Sequence, residues 1–250
     1  MVFVRMTGIF VIAPIFGRKN IPSYYKIGFA FFLSLIAINF VEISQIEKVT
    51  TLLEFSFIIM SEFIVGIIIG FIAYLVFSAI YLAGQLIDMQ IGFGVVNVLD
   101  PMSNIQIPIT ANFYMIIATL IFLGFDGHHI LINAVFESYK YIPLGSLNAN
   151  AKLIDDLLVT FGTSFSMGFK IAAPITAAVM ITDVALGIMS KTMPQLNIFM
   201  VGMPLKIIMG IFIIIITMGG FITIVKMIIT NIDSDLTRII RDLGFIIWQM

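Results

Sequence analysis

The sequence predicts an all-α, polytopic, membrane-associated protein built from helical hairpins, and its composition gives two reasons. First, 60% of the 250 residues are hydrophobic, whereas soluble globular domains are about 45–50% apolar. Second, only 11% are charged, which is too few to give a domain of this size a polar surface. We therefore expect lipid or protein partners to cover the remaining apolar surface.

About six hydrophobic segments are expected, since a membrane-spanning helix needs about 20 mostly apolar residues. The segments cover residues 2–16, 27–41, 63–87, 101–125, 157–182 and 207–225. The first contains Arg5 and resembles a signal peptide, but no small-residue cleavage site follows it, so we interpret it as a short first membrane helix. Lys170 and Pro174 interrupt the fifth segment.

Basic residues do not fix the orientation of these helices. Alternate connections carry five lysines and arginines on each side, whereas the cytoplasmic side is normally richer. Either orientation therefore stays open, as does an arrangement in which the helices do not all span a bilayer in the ordinary way.

The C-terminal tail from Asn231 is predicted to form an amphipathic helix, because its apolar residues recur at helical spacing. These residues are Ile232, Leu236, Ile239, Ile240 and Leu243. The expected location of this helix is the membrane interface, and the alternative is packing against another subunit.

No pattern in the sequence predicts an enzyme or a bound cofactor. The chain lacks a phosphate-binding glycine loop and a dinucleotide fingerprint, it has no cysteine, and its net charge of −1 gives no basic surface for nucleic acid. His128 and His129 follow Asp126, but adjacent side chains on a helix diverge by about 100°. We therefore expect a helix start capped by Asp126 and no metal site.

Four charged residues lie among apolar neighbours, where an unpaired charge at membrane depth costs about 2.5–3.5 kcal/mol. They are Glu62, Asp88, Lys170 and Asp183. We expect ion pairs between helices or subunits, with Lys170 opposite Asp88 or Asp183, and a proton or ion relay is the alternative. Gly66 and Gly70 form a G-x-x-x-G step, which is typical of a helix face that packs closely on another helix.

The segment from Gly92 to Thr110 cannot be one continuous helix. It carries two prolines, two asparagines and Asp100 between two apolar segments, and these residues break helices or favour turns. Apolar irregular backbone near a membrane is tolerated only where protein buries it or where it lines a cavity. The segment is thus predicted to be a constriction or plug, with an ordinary connecting loop as the alternative.

Four blocks of sequence resemble the FliR family of flagellar biosynthetic proteins, whose counterpart in virulence secretion is the SctT family. The blocks are TGIFVIAPIFGRKNIP at 7–22, SEFIVGIIIGF leading into AGQLIDMQIGF at 61–93, DPMSNIQIP and FLGFDGHHILINAVFESYKYIPLG at 100–145, and APITAAVMITDVALGIMSKTMPQLNIFMVGMPLKIIMG at 173–210. They follow the family's order along nearly the whole chain. The one departure is the short N-terminus, since the resemblance implies a longer first helix.

The resemblance implies a single domain over 1–250 that acts as one subunit of the flagellar type III protein export gate. It implies FliP, FliQ and FlhB as partners, unfolded flagellar proteins as cargo, and a multi-pass position in the bacterial inner membrane at the flagellar basal body. It also implies helices that pack mostly against partner subunits. The alternative is a small-molecule or ion secondary transporter, which predicts paired inverted repeats that the sequence does not show convincingly.

The resemblance also implies that the plug follows the AGQLIDMQIGF block, and we expect apolar packing there to exclude water and ions until cargo displaces it. Glycines and prolines would permit that movement. The candidate plug residues are Gly92, Phe93, Gly94, Val95, Val96, Val98, Leu99, Asp100, Pro101, Ile105 and Pro108.

Overall fold

The computed structural model describes residues 1–17, 21–41, 51–93, 108–147, 151–195 and 197–244. These residues form seven α-helices and no β-strand. The helices are α1 (Val2–Ile12), α2 (Ser23–Ala37), α3 (Leu52–Ile91), α4 (Ile109–Gly124), α5 (Gly127–Tyr141), α6 (Ala151–Thr192) and α7 (Ile198–Leu243). The predicted all-α fold class is confirmed.

Among the described helices, α3, α6 and α7 are long and apolar enough to cross a membrane. Helices α4 and α5 meet at a bend of 65° and add a fourth candidate if they are taken as one span. Helices α1 and α2 are shorter apolar helices. This arrangement agrees with about six predicted hydrophobic segments, although the helices end at different residues.

Helix α3 begins well before the predicted segment at 63–87, because its first turn carries a capping box. The N–H of Thr51 donates to Glu54 Oε2 at 3.2 Å, and the N–H of Glu54 donates to Thr51 Oγ1 at 3.3 Å. These reciprocal bonds satisfy two backbone donors that would otherwise lack partners at a helix start. The T-x-x-E pattern that produces them is readable in the sequence.

The expected interruption at Pro174 is absent, since α6 continues through it. Proline removes one backbone hydrogen bond inside a helix, but apolar packing on both sides of Pro174 keeps the helix in one piece: Ile171 and Ile175 are both buried. Helix α7 likewise contains Pro204 and runs on into the tail without a break.

The chain divides into two compact units, and the predicted single domain stays a prediction. The first unit comprises Met1–Val76, Phe122–Gly162 and Ile228–Met250, and the second comprises Phe77–Ile121 and Thr163–Met227.

In the first unit, α1 and α2 pack as a hairpin. The ring of Phe10 contacts Phe16 and Phe29 edge to face, with centroid distances of 5.1 and 5.5 Å. Such aromatic pairs are favourable beyond their buried area, so they help to fix the angle at which the chain reverses after Pro14.

The tail's predicted apolar face is buried in the same unit, and it therefore does not lie in a membrane interface. Its residues are at most 1% exposed, and they are Ile232, Leu236, Ile239, Ile240 and Leu243. On the adjoining face, Arg238 Nη2 donates to Thr160 Oγ1 at 3.2 Å. The amphipathic pattern was predicted correctly, but its partner is this chain.

In the second unit, small residues allow helices to approach closely. A Cβ atom added to Gly168 of α6 would lie 2.8 Å from the carbonyl oxygen of Ala79 in α3. Between α4 and α7, the rings of Tyr114 and Phe221 stack with centroids 4.2 Å apart. These contacts build a core of apolar and aromatic side chains.

Candidate functional site

The structure describes the backbone at both ends of the predicted plug. Helix α3 ends at Ile91, and Gly92 follows with a φ of +99°, a conformation that glycine adopts without strain. The N–H groups of Gly92 and Phe93 both donate to the carbonyl oxygen of Asp88, at 3.2 and 3.1 Å. At the other end, the carbonyl of Pro108 accepts the N–H of Asn112 at 3.1 Å and opens α4.

The carboxylate of Asp88 binds the start of α4. Its Oδ1 and Oδ2 accept the N–H of Thr110 at 2.9 and 3.1 Å, and Oδ2 also accepts the N–H of Ala111 at 3.3 Å. The first N–H groups of a helix have no partner within the helix, and a negative charge there is favoured by the helix dipole. Asp88 is only 6% exposed, so the bonds form where water competes little.

Gly84 lies one turn before Asp88 and brings the two helices into backbone contact. A Cβ atom at Gly84 would overlap the backbone of Ala111, so a larger residue would push α3 and α4 apart. Asp88 and Gly84 together hold the two ends of the predicted plug at one place on α3. We call this arrangement of Gly84, Asp88, Thr110 and Ala111 the stem.

Only part of the predicted plug falls within the structure. Gly92, Phe93 and Pro108 are placed at the stem, each of them partly exposed. The other candidates lie outside the described residues, and they are Gly94, Val95, Val96, Val98, Leu99, Asp100, Pro101 and Ile105. The apolar seal assigned to them stays a prediction.

Glu62 is the buried partner of Arg5, a residue that sequence reasoning did not select. Arg5 Nε donates to Glu62 Oε2 at 2.7 Å, and Nη2 donates to Oε1 at 3.1 Å. Arg5 is 0% and Glu62 1% exposed. A fork-shaped guanidinium facing a carboxylate is a strong, directional pair, which here joins α1 to α3.

Further donors and acceptors complete this network. Arg5 donates to Ser138 Oγ at 2.9 Å and to the carbonyl of Ile142 at 3.0 Å, and the N–H of Gly145 donates to Glu62 Oε1 at 2.9 Å. The guanidinium carbon lies 4.2 Å from the ring centre of Tyr139, within the range of a cation–π contact. A buried charge is tolerated when it is paired and hydrogen-bonded in this way.

The three other predicted intramembrane charges, Asp88, Lys170 and Asp183, do not form the ion pairs suggested for them. Asp183 forms an ion pair with Lys206, which joins α6 to α7. Asp88 caps α4, as described above. Lys170 therefore pairs with neither, and within the described part of the chain its ammonium group has no hydrogen-bond or ion-pair partner.

Gly66 and Gly70 lie on the face of α3 that contacts α1. A Cβ atom at Gly66 would overlap the carbonyl oxygen of Arg5, and one at Gly70 would lie 3.2 Å from the carbonyl oxygen of Ile9. Gly8 faces back, since its own Cβ would lie 2.6 Å from the carbonyl oxygen of Phe63. The G-x-x-x-G step thus packs within the chain, in the same place as the Arg5–Glu62 pair.

Helix α5 begins directly after Asp126, as expected, but the side chain of Asp126 makes no capping hydrogen bond. Its backbone is left-handed, with a φ of 54°, which turns the carboxylate towards His129 Nδ1 at 3.5 Å. Ligand atoms of Asp126, His128 and His129 come within 4.8 Å of one another, closer than the sequence argument anticipated. Asp126 and His129 are exposed at a helix start, where the dipole disfavours cations, so we derive no metal role.

Comparison of the sequence with known proteins identifies the family to which the chain belongs. Residues 1–232 match the family of bacterial export proteins, family 1. The flagellar biosynthetic protein FliR of Bacillus subtilis (strain 168) is 35% identical over 232 residues, covering 90% of this chain and 88% of the relative. The FliR proteins of Aquifex aeolicus (strain VF5) and Escherichia coli (strain K12) are 32% and 29% identical, covering 86% and 83% of this chain and 83% and 78% of the relatives. The chain therefore belongs to the bacterial export proteins, family 1, together with the FliR proteins of flagellar biosynthesis.

Proposed function

We propose that this chain is a subunit of the flagellar type III protein export gate and helps to form and seal the channel that unfolded flagellar proteins cross. The observation that carries the proposal is the family match, which extends over residues 1–232 and includes relatives named for flagellar biosynthesis. The proposed location is the inner membrane at the flagellar basal body. The proposal assigns no catalytic step to the chain.

The exposure of the long helices supports an assembly with other subunits. In its most apolar stretch α3 is 61% buried by the chain, whereas α6 is 33% and α7 17% buried. Helices of 42 and 46 residues are about 63 and 69 Å long, well beyond the hydrocarbon thickness of about 30 Å. Lipid alone cannot cover such helices, so partner proteins, which we propose to be FliP, FliQ and FlhB, would cover part of them.

The stem supports the proposed role in sealing. A segment that blocks a channel must be held at its ends and still be displaceable, and the Asp88 carboxylate and Gly84 hold both ends on α3. Hydrogen bonds from backbone N–H groups to a charged carboxylate contribute a net of about 1.5–3 kcal/mol each, so the stem can stay bound while the segment between its ends moves. We propose that the residues between Phe93 and Pro108 form the seal.

Two measurements on cells and vesicles test these proposals. Deleting the gene should abolish secretion of flagellar proteins, and supplying the chain on a plasmid should restore it; unimpaired secretion without the gene would refute the gate assignment. Deleting residues 93–105 from assembled gates should raise ion leak through the membrane. An unchanged leak would refute the seal while leaving the assignment to the gate intact.

A further inference from the structure

Lys170 lies near the middle of the apolar part of α6, between Phe169 and Ile171. Within the described residues, no hydrogen bond or ion pair satisfies its ammonium group. A lysine at membrane depth costs about 2.5–3.5 kcal/mol unless it is paired or hydrated. Within the part of the chain that the structure describes, Lys170 thus carries an uncompensated charge at a place where the proposed assembly would bury it.

The side of Lys170 that faces α4 and α7 opens on a cavity of about 280 Å³ in the second unit. Tyr114 lines this cavity and is 0% exposed, yet its hydroxyl group is buried without a hydrogen-bond partner. Stacking on Phe221 at 4.2 Å holds the ring, so the hydroxyl cannot swing away to find one. Thr217, also in the lining, already donates to the carbonyl of Ile213 at 2.8 Å.

These unsatisfied groups share one chemical property, which is that they donate hydrogen bonds. A lysine ammonium has three donors and no acceptor, and a tyrosine hydroxyl donates readily. The Tyr114 hydroxyl is a buried donor without an acceptor, which costs about 1–3 kcal/mol. Lys170 is exposed on the described part of the chain and would become a second such donor when a neighbouring subunit covers it. The group that would satisfy both residues is an acceptor with a negative charge, and a carboxylate fits because its two oxygens can accept from both at once.

We propose that Lys170 and Tyr114 form a binding site for a carboxylate side chain on an apolar segment of a neighbouring subunit. This inference rests on the proposed role of the chain in a hetero-oligomeric gate. It names the chemistry of one contact in that assembly, an ion pair made in the apolar interior and completed by the tyrosine hydroxyl.

A partner protein fits the site better than a lipid headgroup does. Lys170 is separated from Leu157 and Thr182, the ends of the apolar part of α6, by about 20 Å of helix each, which a lysine side chain cannot span to reach a headgroup. On its other side Lys170 borders a second cavity of about 470 Å³, and Phe169, in the same lining, is 50% exposed. A segment that supplies both apolar cover and one carboxylate is a protein segment.

The test compares assembly of variants after co-expression with the neighbouring genes, using native mass spectrometry of the purified complex. The wild-type chain must first yield a hetero-oligomer, which tests the proposed function separately. We then expect Lys170→Met to lower the yield of assembled complex about tenfold and Tyr114→Phe to lower it about threefold. Lys191→Met, at the exposed end of α6, should assemble as the wild type does.

Three results would overturn the inference while the wild-type complex still forms. First, Lys170→Met could assemble normally. Second, Lys170→Met could lower the melting temperature of the isolated chain, which would place the partner of Lys170 within the chain. Third, assembly of the wild-type chain could require anionic lipid, which would identify a headgroup as the ligand. The positive identification is a charge exchange. Lys170→Glu should fail to assemble, and an acidic residue of a partner changed to lysine should rescue it.

Discussion

Arg5 and Glu62 are 57 residues apart in the sequence and form a buried ion pair with two hydrogen bonds. The pair joins α1 to α3 at the point where the glycine face of α3 touches the backbone of α1. The close packing keeps water away from the two charges, and the ion pair in turn fixes how α1 lies along α3.

Removing one partner of this pair should destabilise the chain strongly. Glu62→Ala leaves the Arg5 guanidinium buried without its counter-charge, and breaking a buried pair in this way costs about 3–5 kcal/mol. The double variant Arg5→Met/Glu62→Leu should lose less than Glu62→Ala alone, since it leaves no buried charge. Unfolding of the purified chain in detergent measures these losses. If the double variant loses as much stability as the single variants Arg5→Met and Glu62→Leu added together, the two charges are not coupled.

Asp88→Ala should loosen the start of α4. Loss of a carboxylate that caps a helix costs about 0.5–2 kcal/mol, and the N–H groups of Thr110 and Ala111 should exchange with deuterium faster. Asp88→Asn keeps one acceptor oxygen, so its deuterium exchange rate should fall between those of the wild type and Asp88→Ala. Asp233→Ala, on an exposed part of α7, is the matched control; if it accelerates exchange at Thr110 equally, the capping account fails.

Adding a methyl group to the packing glycines should force helices apart. Gly66→Ala meets the Arg5 carbonyl, and Gly84→Ala meets Ala111, so each should cost about 1–3 kcal/mol. Gly219→Ala enters open space and should be neutral or stabilising by about 0.5–1 kcal/mol. Melting temperatures of the three variants test this order, which equal losses at all three sites would contradict.

Truncating the tail's buried face should expose its contribution to the first unit. Ile239 is 0% exposed and Ile215 is 67% exposed on the same helix, so the same change probes both environments. Ile239→Ala should cost about 2–5 kcal/mol, and Ile215→Ala should cost little in the isolated chain. Chemical unfolding in detergent gives the comparison, and similar losses would mean that the tail does not pack as the structure shows.

Hydrophobicity predicted the fold class, because the number and length of apolar segments depend on local sequence alone. Hydrophobicity did not predict features that depend on tertiary packing. Pro174 was expected to interrupt α6, yet the buried residues beside it hold the helix together. The helical spacing of apolar residues such as Ile232 and Leu236 predicted that one face of the tail is buried. Periodicity does not indicate which surface covers that face.

The candidate site was predictable only in part. The prolines and asparagines after Gly92 predicted a break in the helix, and the described helices do end at Ile91 and begin again at Ile109. The carboxylate that caps α4 comes from Asp88, 22 residues before Thr110, and a sequence shows only caps that lie nearby. Arg5 was missed for the same reason: a single arginine near an N-terminus resembles a flanking charge until Glu62 is seen opposite. The hydroxyl of Tyr114 has no sequence signal at all.

The most direct test of the central claim is native mass spectrometry of this chain purified from gently solubilised membranes after co-expression with its genomic neighbours. Membership of an export gate predicts a large hetero-oligomer that contains one copy of the chain together with several FliP and FliQ subunits. A stable monomer or homodimer without those partners would contradict the account.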